Sequence, residues 1–426
     1  MAQGMEHERI QEEIAINGAA PPTALINEAT WAFIHQHTDA DTRALALRPA
    51  PAGVDLPRAL EQIEGWQTAR QKLPRWAATR GVVFPPRLSM EQCSSEPTAT
   101  YKVQVATRLL GQLPDAGRTH VMADLTGGFG IDFSSLAPLF RQALYIERNP
   151  HLCTLATHNF RCMGLHQAQV LQADSTAALP DVPAADLIYA DPARRDRAGR
   201  KTVEIADCEP DLTHLLPTLC QRAHYVMVKL SPMLDIHQAI AALPHIIQVH
   251  AVSVGGECKE LLLVASSQHQ QPLTYHCANI LATRSEVFCF TPQEEHDAPC
   301  TLATAPQAYL YEPNASVLKC GGFRSVGARY GVQKLHPHSH LYTSVQEHKD
   351  FPGRTFRVLR SCGFSKKELK EALHDLPAAN LTLRNFPGTV DALRKRLRLK
   401  EGGSHYLFAT TQADGKHLII ICEKVG

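Results

Sequence analysis

The chain has 426 residues, 44% of them hydrophobic, with 43 Lys and Arg against 42 Asp and Glu for a net charge of +1. That is material for two or three cores at roughly 100–200 residues each, with no apolar run of the roughly 18 residues that span a membrane and no bulk charge marking a nucleic-acid binder. The 12 cysteines include no C-x-x-C pair, which suits reduced thiols better than a disulfide framework or a zinc site.

The N-terminal MAQGMEHERIQEEIAING has no apolar h-region, so no signal peptide is read and a cytoplasmic protein is expected. Residues 1 to about 100 read as helical. Pro57 stands at a plausible first helical position, with Leu60, Ile63 and Trp66 following at helical spacing. From about 101 to 270 short apolar strands alternate with helical stretches. VMADL (121–125), ALYIE (143–147), AQVLQAD (168–174), DLIYAD (186–191), HYVMVKL (224–230), IIQVHAV (246–252) and ELLLVA (260–265) are the strand candidates. This alternation predicts a βαβ parallel sheet. The last two candidates lie close enough to form an antiparallel hairpin at the sheet edge. Residues 271–345 read as a small α+β domain and 346–426 as a separate α+β domain. In the latter, Ser365 and Glu368 form a capping box, Thr389 caps a second helix, and Asp414-Gly415 marks a hairpin. No repeat or low-complexity tract interrupts the chain.

The charge is unevenly spread. From Arg354 to Lys400 there are 12 Lys and Arg against 4 Asp and Glu, a local charge of +8 that leaves −7 for the rest. A basic C-terminal segment thus follows a mildly acidic body.

The strongest chemical signal is DLTGGFGID (124–132). Asp124 ends a strand, then Gly128 and Gly130 open a helix, so backbone amides can approach a ligand closely. Glu147 ends the next strand, where a carboxylate can hold two ribose hydroxyls. Asp174 ends the third, where it can accept from an adenine amine, and Asp191-Pro192 ends the fourth. Four acids at successive strand ends point to the edge where open α/β sheets bind ligands. From Gly128 the run is G-F-G-I-D-F, without the third glycine of a dinucleotide fold.

This set resembles the class I S-adenosylmethionine methyltransferases. More narrowly, EQCSSEPTATYK (91–102), YADPARRD (189–196), VKLSPMLD (228–235), GECKELLLV (256–264), YLYEPNASVLK (309–319) and LRKRLRLKEGGSHYLFATT (393–411) resemble a bacterial family of such enzymes with a C-terminal THUMP-like domain. The resemblance implies an α/β fold: a Rossmann-like class I methyltransferase core between an N-terminal helical region and C-terminal α+β domains. It implies S-adenosylmethionine as cofactor, with Asp124, Gly128 and Gly130 around its methionine end, Glu147 at the ribose and Asp174 at the adenine. Thr126 replaces the first glycine of the usual turn, and its hydroxyl can donate to the carboxylate. Gln92 and Ser95, with Ser94, Thr98 and Tyr101, can reach back to the cofactor's carboxylate, although Ser94 or Ser95 equally suits a helix cap.

Asp191, Pro192 and Arg194 are the candidate catalytic residues. Ala193 and Arg194 replace the proline and aromatic residue that often follow in nucleic-acid amine methyltransferases, so base stacking here is not expected. The fifth strand, YVMVKLSPM, has no cysteine for covalent carbon methylation. A nitrogen or hydroxyl acceptor remains, with Asp191 orienting it or taking its proton. Arg195 and its basic neighbours, Lys229 on the fifth strand, and Arg394, Lys395 and Arg398 are the candidate substrate-binding residues, pointing to phosphates. The expected partner is structured RNA, tRNA or rRNA, with no membrane. His336, His338 and His340 form H-x-H-x-H, but Pro337 and the lack of a carboxylate partner favour a polar loop over a metal site. A non-catalytic RNA-binding protein and a small-molecule or protein methyltransferase are the alternatives. The four carboxylates argue against the first, and the basic C-terminal segment against the second.

Overall fold

A computed structural model of the chain describes residues 25–113, 120–194, 205–268, 271–282 and 284–425. They divide into two compact units. The first runs to Lys229 and takes in Ala239–His245 and the stretch from Val264. The second holds Leu230–Gln238, Ile246–Leu263 and the remainder.

The first unit begins, among the described residues, with helices α1 (Glu28–Gln36), α2 (Thr42–Ala46), α3 (Leu56–Lys72), α4 (Pro74–Ala78), α5 (Arg87–Gln92) and α6 (Glu96–Leu110). Pro57 takes the second position of α3, because Asp55 is the cap and accepts from the Arg58 amide. Ile34, Leu45, Ala59 and Ile63 share a core with Val83 and Leu155, which anchors these helices to the parallel-sheet fold. Asn159 exchanges two 2.9 Å hydrogen bonds with the Val83 backbone.

The sheet of this unit comprises β1 (Val121–Asp124), β2 (Gln142–Glu147), β3 (Ala168–Gln172), β4 (Ala185–Ala190) and, after the two-residue β5 (Ala193–Arg194) and β6 (Cys208–Glu209), β7 (Ala223–Leu230). Helices α7 (Ile131–Leu136), α8 (Pro150–Cys162), α9 (Ser175–Ala178) and α10 (Leu212–Arg222) alternate with them. The strands are parallel in the order β3-β2-β1-β4-β7. Every residue of β4 is buried, as a strand covered on both faces requires. The order reverses at β1, so the ends of β1 and β4 flank the switch point where open sheets bind ligands.

Helix α11 (Ile236–Ala242) follows, then β8 (Ile246–Val254) and β9 (Glu257–Ala265), joined through Gly255-Gly256 as the short connector predicted. This pair is not a sheet edge, which corrects the expectation. Strand β10 (Thr274–Ile280) pairs parallel to β8, and β11 (Ser285–Phe290) antiparallel to β10. The β10 backbone satisfies the groups that β8 would otherwise leave open.

In the second unit, α12 (Pro292–Asp297), β12 (Tyr309–Pro313), α13 (Ala315–Cys320), α14 (Phe323–Tyr330), β13 (Gln333–Lys334) and β14 (Tyr342–Ser344) lead to β15 (Gly353–Gly363). Then come α15 (Lys366–Ala372), β16 (Asn380–Arg384), α16 (Val390–Leu397), β17 (His405–Thr411) and β18 (His417–Lys424). Seven strands form one sheet in the order β13-β14-β12-β15-β18-β17-β16. The stretch 271–345, expected as a small domain of its own, therefore contributes strands to two sheets. The Ser365–Glu368 capping box and the Thr389 cap are both formed. Gly415, at φ +82°, turns the β17–β18 hairpin.

Among the described residues no helix is long and apolar enough to cross a membrane.

Candidate active site

The turn after β1 is shaped by its glycines. A Cβ on Gly127 would lie 2.2 Å from the Tyr145 ring, so only glycine lets the chain pass. Gly128, at φ +56°, holds a conformation L side chains rarely adopt, and a Cβ there would meet only the Thr126 carbonyl at 3.6 Å. The turn thus presents bare backbone to open space. Gly130 then caps α7 in the left-handed region.

Glu147 locks this turn. Its Oε2 accepts from the Gly128 amide at 2.9 Å and its Oε1 from the Asn149 amide at 2.7 Å. Each oxygen keeps a lone pair for further donors such as paired hydroxyls. Asp124 is 1% exposed and accepts from the Thr126 amide at 2.9 Å. Burial pushes its carboxyl well above the usual carboxylate range, and Asp132, Asp191 and Glu147 push the same way.

The Thr126 departure acquires a reason. Its hydroxyl accepts from the Asp191 amide at 2.6 Å and faces the Asp124 carboxylate at 3.4 Å. A glycine there would leave the ends of β1 and β4 without this tie. The Asp191 side chain is 36% exposed and pairs through Oδ2 with Lys229 Nζ at 2.5 Å. Lys229 was expected to hold substrate. It is itself only 14% exposed and already faces the proposed catalytic carboxylate. Pro192 is buried beside it.

The other expected residues are placed differently. Asp174 is exposed and caps α9, accepting from the Thr176 hydroxyl and amide and the Ala177 amide. The Thr176 hydroxyl bond leads the effects that lower its pKa. Gln92 is exposed at the end of α5. Ser95 stands at the N-cap of α6 without a side-chain cap bond, and its hydroxyl meets Thr98 at 3.4 Å. Ser94 does not reach outward, because it is buried against Asp132 at 2.7 Å. The Arg194 backbone pairs with Cys208, while its side chain and all of Arg195 lie outside the described residues.

The basic C-terminal segment is less free than its composition suggests. Arg354 and Arg384 both pair with the buried Glu312, Arg360 pairs with Asp375, and Arg357 faces Glu423 at 3.6 Å. Arg394 is 18% exposed, donates to the Ala379 carbonyl at 3.2 Å and faces Glu401 at 3.8 Å. Lys366, Lys367, Lys370, Lys395, Arg398 and Lys400 are exposed and form no ion pair among the described residues. His340 stacks on Phe323 at 3.7 Å, and burial pushes its imidazole down to about 4.

Two domain families match the second unit. Residues 309–352 match a ferredoxin-like domain and 353–424 a THUMP domain-like family. The crystal structure of a putative methyltransferase from Porphyromonas gingivalis W83 is 34% identical. It aligns over 93% of this chain and 98% of its own, with a TM-score of 0.83. The chain belongs to this family of class I S-adenosylmethionine-dependent methyltransferases with a C-terminal THUMP-like domain. An S-adenosylmethionine-dependent methyltransferase of Mycobacterium tuberculosis is 26% identical over 315 residues, 73% of this chain and 80% of that protein.

Proposed function

We propose that this methyltransferase modifies a nitrogen or hydroxyl of structured RNA, with the strand ends of the first unit as the active site. The observation that carries the RNA reading is the group of exposed lysines and arginines in the THUMP-like region that form no ion pair among the described residues, with Lys366, Lys395 and Arg398 among them. S-adenosylmethionine, when bound, supplies an electrophilic methyl carbon on a sulfonium. The bare Gly128 backbone and the lone pairs of Glu147 fit its ribose and methionine. Asp191 takes the acceptor side, where it orients the nucleophile and receives the proton released as the new bond to carbon forms. Lys229 holds the Asp191 carboxylate in place through Oδ2. Beyond this the protein's task is alignment and exclusion of water. Mass spectrometry of RNA nucleosides from cells with and without the gene tests the reading. A methylated nucleoside missing from the deletion strain is expected, and identical profiles would return the small-molecule or protein acceptor.

Glu147→Ala is expected to weaken S-adenosylmethionine binding at least tenfold. Charge-assisted bonds to a ribose contribute about 1.5–3 kcal/mol each, and the Gly128 amide also loses its anchor. Calorimetry giving wild-type affinity would remove Glu147 from the site.

Asp124 makes binding pH-dependent. Its carboxyl holds a proton above the usual carboxylate range because of burial, and a cationic ligand nearby favours the ionised form. Binding then releases a proton, so affinity rises with pH through the window above the ordinary carboxylate value. Calorimetry in buffers of different ionisation enthalpy should show proton release that Asp124→Asn abolishes.

A further inference from the structure

Behind the glycine turn lies a buried polar group to which the reaction described so far assigns no task. Lys102, on α6, is fully buried, and its Nζ lies 3.1 Å from Oδ1 of Asp132 on the first turn of α7. Ser94 donates to Asp132 Oδ2 at 2.7 Å and accepts from Lys102 at 3.1 Å. Tyr189, on β4, donates to the same Oδ2 at 2.7 Å. One carboxylate thus gathers two hydroxyl donors and an ion pair from three places in the chain. Burial works against its charge. Lys102, then Lys229, Ser94 and Tyr189, outweigh burial and hold the carboxyl below the usual range.

Such a group is a poor device for stability alone, since well-packed apolar residues commonly do as well. Its location explains its presence. Tyr189 lies two residues before Asp191, on the same side of an extended chain. The Asp191 amide is held by Thr126, six residues before Asp132 across the glycine turn. Lys229, whose charge helps hold the Asp132 carboxyl ionised, is the ion-pair partner of Asp191. Lys102, Asp132, Lys229 and Asp191 therefore alternate in charge from the buried helix to the acceptor side.

We propose that Asp132, held by Lys102 and Ser94, is a positioning residue that sets the placement of Asp191 through Tyr189 and Lys229. It touches neither cofactor nor acceptor. It makes the cofactor turn and the acceptor-side strand end one rigid object, so that the methyl carbon and the proton-accepting carboxylate hold a fixed relation.

The proposal rests on Asp191 being the acceptor-side carboxylate, so two independent readouts separate the ideas. Tyr189→Phe removes a single hydroxyl and Asp132→Asn removes the charge. Hydrogen–deuterium exchange followed by mass spectrometry reads the segment through Asp191 without needing an acceptor. Exchange there is expected to speed up roughly tenfold or more, the change for one lost charge-assisted hydrogen bond. Methyl transfer to total RNA from the deletion strain should fall by a similar factor in kcat. Affinity for S-adenosylhomocysteine should stay within about threefold of wild type. If the wild type methylates no RNA, the RNA reading fails and exchange alone decides. If Asp132→Asn does not fold, Tyr189→Phe carries the test. Wild-type exchange in the Asp191 segment of Tyr189→Phe, with or without a lower Tm, overturns the proposal, and so does a loss confined to cofactor affinity.

Discussion

Asp191→Ala is expected to lower methyl transfer by roughly two to four orders of magnitude while leaving S-adenosylmethionine affinity nearly unchanged, the range for loss of a positioned general base. The two effects separate because of where the side chain points its bonds. The Asp191 carboxylate meets Lys229, whereas only its backbone amide meets Thr126 at the cofactor turn. The backbone tie survives the substitution. Lys229 loses its carboxylate partner while only 14% exposed, so some stability is lost as well. Asp191→Asn controls for this, since it keeps the shape and a hydrogen-bond acceptor without the charge. Single-turnover transfer from labelled cofactor, read beside calorimetry, distinguishes the two effects. An Asp191→Asn and Asp191→Ala pair that both turn over at the wild-type rate would end the assignment of Asp191 to chemistry.

Charge reversal on the THUMP-like region should have the second largest effect, on RNA affinity. Sequence composition points to Arg394, Lys395 and Arg398, but the structure redirects the choice. Arg394 holds the Ala379 carbonyl and is mostly buried, so Arg394→Glu would disturb the fold as well as the surface. Lys367, Lys395 and Arg398 are exposed and form no ion pair among the described residues. Changing these three to Glu is expected to weaken binding to tRNA or rRNA fragments at least tenfold at about 0.1 M salt. The log–log salt slope should shrink by about two to three, since each phosphate contact contributes roughly 0.7–0.9. Cofactor affinity should not change, because these residues belong to the other unit. Filter binding across a salt series makes the comparison. Equal slopes for variant and wild type would mean that this face is solvated surface, and the acceptor would then be sought among small molecules or proteins.

The sequence and the structure part company on pairing. Half-buried arginines in the +8 segment are structural: Glu312 accepts from Arg354 and, 72 positions away, from Arg384. Counting charges treats each as free, and no local signal reveals the partner. Ser94 illustrates the same point from the other side. EQCSSEPTATYK is conspicuous as a string, and by itself it suits a cap and a cofactor contact equally. Asp132, which decides the matter, stands 38 residues further on. Nothing in the spacing of Lys102 and Asp132 singles them out, because helix α6 and the turn of α7 meet only in the folded core.

What the sequence by itself determined is what short range controls. Short apolar runs placed β1, β2, β3, β4 and β7 within a residue or two. Capping chemistry placed the starts of α15 and α16. The glycine turn followed by acids at successive strand ends announced the reaction class, because a parallel strand delivers its last residue to one edge wherever the chain goes next. Only the tertiary structure decided the rest. It showed that β10 and β11 extend the strands around β8, that Thr126 ties β1 to β4, that Lys229 faces Asp191, and that Arg354 and Arg384 pair with Glu312. These are contacts between residues far apart in the chain. Their formation depends on burial and on competition among many possible partners, and neither is written in any window of a dozen residues.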